Sequence, residues 1–116
     1  MNAGQYAHGY AWLLTHHMDT IRAIRHAHHL QHLIMPTIQS NTPHRQWLHR
    51  LHTLNTACEQ HITQLRTLQT TLRIRARWTP AAHDAVHVIT HEINQLDHCR
   101  TPLATLLDRH TIERTA

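Results

Sequence analysis

Between Trp47 and Leu72 the chain repeats a core-type residue at alternating steps of four and three: Trp47, Leu51, Leu54, Cys58, His61, Leu65, Leu68 and Leu72. Only His61 is not apolar. Side chains at that spacing fall on one stripe of an α-helix, and a stripe this long must be covered by other long helices lying nearly antiparallel to it. The pattern predicts a helical bundle.

The helix starts are marked by Thr-Pro at 42–43, 79–80 and 101–102, since Thr caps a helix N-terminus and Pro suits its first position. A helix over about 43–77 would be roughly 50 Å long. An earlier helix over about 4–35, ended before Pro36, has the seam Ala7, Tyr10, Leu14, His17, Ile21, Ile24, His28 and Met35. A later one begins at Pro80, carries Ala82, Ala85, Ile89, Ile93, Leu96, Leu103 and Leu107 inward, and ends near 113. Pro102 either kinks or restarts it. The segment 36–41, PTIQSN, is the one evident loop. The expected fold is all-α: an elongated antiparallel bundle of three long helices, or four if Pro102 opens a new one, forming a single domain over 1–116.

Composition agrees. There is no Phe, so the core must be Leu, Ile and Ala, and 116 residues suffice to bury one without disulfides or metal. The first residues, MNAGQYAHGYAWLL, lack a basic stretch before an apolar run and are too short to span a membrane. With two Cys, the expectation is a reduced, cytoplasmic protein that does not engage a membrane.

Enzyme chemistry finds little to use. Ser40 is the only serine, the seven carboxylates are spread along the chain without pairing, and HExxH, CxxC and phosphate-cradling glycine loops are missing. A di-iron bundle needs carboxylates stepped from inward-facing histidines, and no His-x3-Glu occurs. A non-enzyme with no cofactor is expected.

The sixteen histidines divide by face. In HAHHLQHL, residues 26–33, His28 continues the seam, His26 and His29 point away from it, and His32 sits at its margin. His28 and His32, four apart, share a face as a metal-binding pair would. His83, His87 and His91, with His98, form a solvent-facing ridge opposite the Ile/Leu stripe. Hairpins folded about residues 39 and 78 would bring His17 level with His61 and Cys58 level with Cys99. His17, Cys58, His61 and Cys99 are therefore the ligand layer of an alternative reading, a zinc-binding bundle. The lead reading expects no metal.

All positive charge comes from arginine, because lysine is absent. Residues 1–80 carry a net +6 and residues 81–116 a net −2. On the second helix Arg66, Arg73 and Arg77 fall on one flank, with His52 and Arg45 further along it and Glu59 interrupting it. Thr56, Gln60, Thr63, Thr67 and Thr70 form a neutral face beside them. Arginines in line with hydroxyls and amides are suited to holding a phosphate backbone without reading bases.

A small, basic, all-helical chain with the Arg66/Arg73/Arg77 stripe resembles the small α-helical subunit of multi-subunit CRISPR effector complexes. The resemblance covers size, helicity and that stripe, and no sequence motif. The chain departs from it in lacking lysine and in its acidic C-terminal third. It implies a non-catalytic subunit of a ribonucleoprotein complex, contacting RNA or single-stranded DNA backbone without sequence preference. It also implies protein partners that include copies of itself. A protein-only adaptor or inhibitor is the remaining alternative.

Overall fold

A computed structural model describes the backbone of residues 1–76 and 79–115 and the side chains as far as His110, apart from residues 77 and 78. Arg77 thus lies outside the described residues. The chain folds into α1 (Ala3–His16), α2 (Met18–Ile38), α3 (His44–Arg75) and α4 (Pro80–Thr115), with no strand among the described residues. The all-α elongated bundle holds, but the fourth helix arises where the sequence showed no break.

That break is His17, the single residue between α1 and α2, with φ −141° and ψ 68°. Its N–H still bonds the Leu13 carbonyl at 2.7 Å, and its own carbonyl accepts from Thr20 at 3.1 Å. One residue therefore closes one helix and opens the next, without a loop. Tyr6 and His28, each eleven positions from His17, both reach Glu92 on α4. The chain doubles back at His17 and lays α1 and α2 side by side over α4. The continuous helix over 4–35 is corrected accordingly.

Proline does not end helices here. Pro36 lies inside α2 and Pro102 inside α4. Each is exposed, as are His32 and His98 four residues earlier, so the carbonyls that lose their N–H partner face water. Pro102 neither breaks α4 nor starts a fifth helix. At 1.5 Å per residue its 36 residues run the 55 Å length of the molecule.

The core draws on all four helices. The α3 stripe is as expected: Leu51, Leu54, Cys58, His61, Leu65 and Leu72 are buried, with Trp47 and Leu68 packed against them. The α4 seam is equally faithful, from Ala82 through Leu103. On the first two helices the inward set shifts. Tyr6, Gly9 and Leu13 face the core where Ala7 and Leu14 were expected, and Met35 is half exposed. The Trp47 indole donates to the Ile38 carbonyl at 3.0 Å, pinning the start of α3 to the end of α2. Among the described residues no helix is long and apolar enough to cross a membrane.

The α1–α4 crossing is set by one glycine. A Cβ on Gly9 would stand 2.6 Å from the carbonyl carbon and oxygen of Asp84, backbone atoms with nowhere to go. Gly9→Ala should force the helices apart and lower stability by about 1–3 kcal/mol in a denaturant melt. Gly4→Ala is the control, since its Cβ meets nothing closer than Asn2 at 3.4 Å. That variant should match or exceed the parent by up to about 1 kcal/mol. Equal effects from the two substitutions would show that the crossing is not this close.

Candidate functional site

On α3, Arg45, His52, Arg66 and Arg73 are all exposed. None of the three arginines has an ion-pair partner among the described residues. The sequence placed them on one flank, and the structure divides them. Asn55, Glu59 and Gln69, on the same side as Arg66 and Arg73, reach Arg100 and Thr90 of α4, so that flank borders the α3–α4 seam. Arg45 stands about 80° around the helix from Arg73. It shares a shallow depression with Gln46, His49 and Arg50, and Arg50 is exposed too. There are thus two basic patches near opposite ends of α3, Arg45 and Arg66 being about 31 Å apart along the axis.

Between the patches lies Glu59, as expected, but it does not stand alone. Arg100 donates to it at 3.2 Å and to Asp97 at 3.1 Å, while the Asn55 amide caps the same carboxylate at 3.1 Å. Arg100 is a residue that the sequence reading missed. It comes from a different helix, and spacing along one helix says nothing about it.

The neutral face also behaves differently from its composition. Thr63, Thr67 and Thr70 turn their hydroxyls back and donate to the carbonyls of Glu59, Thr63 and Arg66. Their protons are spent within the helix, leaving lone pairs outward. These three hydroxyls are therefore not free to donate to a group outside the helix.

The alternative zinc layer is not assembled. His61 is buried and donates through Nε2 to the Ala23 carbonyl of α2 at 2.7 Å. His17 sits beside Arg75, whose guanidinium donates to its Nε2 at 3.2 Å, about 21 Å along α3 from His61. The Trp47–Ile38 and His61–Ala23 contacts centre the α2–α3 hairpin about residue 42 rather than 39, which carries His17 past His61. Cys58 and Cys99 are free thiols close enough to influence each other, and burial pushes the Cys58 thiol up to about 11, a poor start for a thiolate ligand. Among the described residues no three His, Cys, Asp or Glu side chains converge as a metal site would require.

The remaining histidines are mostly outward. His83, His87, His91 and His98 are exposed as expected. In HAHHLQHL, His29 and His32 are exposed and His28 is half-buried. His26 is exposed too, as expected, and leans edge-on against His61 with ring centres 4.6 Å apart. The Nδ1 of His32 donates to the His28 carbonyl at 2.7 Å, while His28 turns its Nε2 to Glu92, so the pair is not posed around a shared ion.

One cluster was not foreseen. Glu92 is only 2% exposed and joins three helices. The Tyr6 hydroxyl donates to its Oε1 at 2.6 Å, and His28 Nε2 stands 2.7 Å from Oε2, off the alignment of a good hydrogen bond. Burial and the bond to Glu92 hold the Tyr6 phenol protonated well above its usual range. Nearby, His8 Nδ1 donates to Asp84 at 2.7 Å, a second tie between α1 and α4. The carboxylates that looked unpaired are thus largely engaged. A buried carboxylate costs several kcal/mol, and a hydrogen bond to a charged group returns about 1.5–3, so Glu92 depends on the Tyr6 hydroxyl as well as on the imidazole beside its other oxygen. Tyr6→Phe should cost about 1–3 kcal/mol in a urea melt, and combining it with Glu92→Gln should cost less than the two losses added. Strict additivity would mean that the two groups do not interact.

Two histidines resist protonation in the folded chain. Burial lowers the pKa of His17, helped by Arg75 and His16, and burial lowers that of His26, helped by His61 and His29. The unfolded chain binds protons at these positions near pH 6.5, the folded chain only at lower pH. Their contribution to stability is full above that value and is lost as the pH falls through the folded values. The urea midpoint should therefore drop from about pH 7.5 to about pH 5, and drop less in the His17→Gln/His26→Gln double variant. An identical pH profile in the double variant would assign the acid sensitivity elsewhere. Comparison with protein-family models, with curated proteins and with solved structures yields no match for this chain.

Proposed function

We propose that the chain is a non-catalytic helical subunit that binds the backbone of RNA or single-stranded DNA, independent of sequence, within a larger cytoplasmic ribonucleoprotein assembly. The observation that carries this reading is the imbalance in who is paired. Asp19, Glu59, Asp84, Glu92 and Asp97 each have a basic or imidazole partner within 3.5 Å. Arg45, Arg50, Arg66 and Arg73 are exposed on a single helix with no carboxylate partner among the described residues. An excess of uncommitted guanidinium groups attracts a polyanion at long range and forks individual phosphates at short range. Two patches at the ends of α3 suit an extended strand lying along the helix better than a single phosphate. The scarcity of aromatic side chains argues against base stacking as the source of affinity.

Counterion release provides the test. Each phosphate contact on a single strand contributes a log K versus log salt slope of about −0.7. Replacing Arg45, Arg66 and Arg73 together by Gln removes charge while keeping helix propensity. Affinity for unrelated oligonucleotides should fall together, and the slope should become shallower by about two units. Unchanged affinity and slope in the triple variant would reduce the patches to a solvated surface, and a protein-only adaptor would become the better reading.

A further inference from the structure

Part of the outer face of α4 is low in free charge and rich in imidazole. From residue 83 to residue 99 its charged residues are all engaged elsewhere: Asp84 with His8, buried Glu92 with Tyr6 and His28, and Asp97 with Arg100. Apart from Asp97, which Arg100 neutralises, the exposed residues of this span are uncharged and imidazole-rich: His83, His87, His91, Asn94, Gln95 and His98. With a net charge of +4, two copies of the chain repel one another, and a face without free positive charge is one on which they can approach.

The ridge also has a defined ligand count. Residues four apart on a helix have Cβ atoms about 5–6 Å apart, which lets two imidazoles meet one ion at the Zn–N distance of about 2.0–2.1 Å. His91 has its ring edge-on against Tyr6 at 5.7 Å, whereas the imidazoles of His83 and His87 make no ring contact or hydrogen bond among the described residues. A tetrahedral zinc-class cation wants four ligands, and no third His, Cys, Asp or Glu among the described residues completes a site with this pair. The same two side chains on a second copy complete it. A two-fold axis through the metal supplies that arrangement and brings the neutral faces of both α4 helices together.

We propose that His83 and His87 form half of a divalent-cation site, which zinc completes by joining two copies of the chain through their α4 helices. Bound water leaves the metal and four neutral imidazoles replace it, with no redox change. The proposal is independent of the nucleic-acid reading, since the arginine patches lie on α3.

The test uses tag-free, nuclease-treated protein and zinc chloride alone. The mass in solution should rise from 13.6 kDa to twice that value, saturating at about half an equivalent of zinc per chain, and EDTA should reverse it. His87→Gln and His83→Gln should each abolish the zinc-dependent dimer while leaving the helical spectrum unchanged, because both side chains are exposed. His91→Gln should dimerise like the parent. So should His44→Gln, which alters the separate His44–His110 ring contact. A mass that stays at the monomer value with zinc in excess would overturn the proposal. So would a dimer that survives His83→Gln and His87→Gln, or one lost in His44→Gln.

Discussion

The α1 end of the molecule is organised around one carboxylate that has no access to water. Glu92 sits where α1, α2 and α4 meet, and its two oxygens face a phenol from one helix and an imidazole from another. Hydrophobic contact is non-directional and tolerates sliding between helices; a buried charge does not. Tyr6 and His28 reach it together only because the chain reverses at His17. The reversal, the Gly9 approach to Asp84 and the His8–Asp84 contact therefore form one consistent geometry. Undoing the reversal would take Tyr6 and His28 apart and leave the buried Glu92 short of a partner.

The two halves of the fold differ in how plainly the sequence states them. The α3 and α4 seams are continuous heptad-like stripes, and nearly every residue assigned to them is inward. The break between α1 and α2 is silent for a geometric reason. At 100° per residue, Tyr6, Gly9 and Leu13 project onto the same side of an uninterrupted helix as Thr20, Ile24 and Ala27. Periodicity is identical whether the chain runs on or folds back. The prolines misled in the opposite sense, because a missing N–H costs little where the orphaned carbonyl is solvated. Glu92 was legible in part. It occupies a step in the series Ala85, Ile89, Glu92, Leu96, Cys99 and Leu103, a carboxylate in an otherwise apolar seam. What periodicity could not supply were its partners, which lie 86 and 64 positions away.

The candidate interface shows the same division. Exposure of Arg66 and Arg73 follows from their distance around α3 from the Leu stripe, so sequence spacing sufficed. The separation of Arg45 into its own patch accumulates from a 3.6-residue turn over twenty-eight positions, too small an error per turn to notice locally. The interruption at Glu59 was visible, but its engagement by Arg100 was not. The threonines carry a related lesson. Their abundance suggests a donor-rich surface, whereas a helical threonine satisfies its own proton four residues back.

The loopless reversal has a consequence for the order in which the fold comes together. The contacts that hold α1 reach mainly across to α4, between residues 76 and 86 positions apart, while α2 and α3 meet over shorter separations, as between Ala23 and His61. During synthesis α1 is made before the other three helices, yet the surface that receives it, Asp84 to Glu92, does not exist until the first part of α4 has emerged. Closing so wide a loop is slow compared with pairing neighbouring helices. Of the four helices, the one made before the others is thus the last to dock, and until then its apolar side, with Leu13 and Tyr6, waits uncovered.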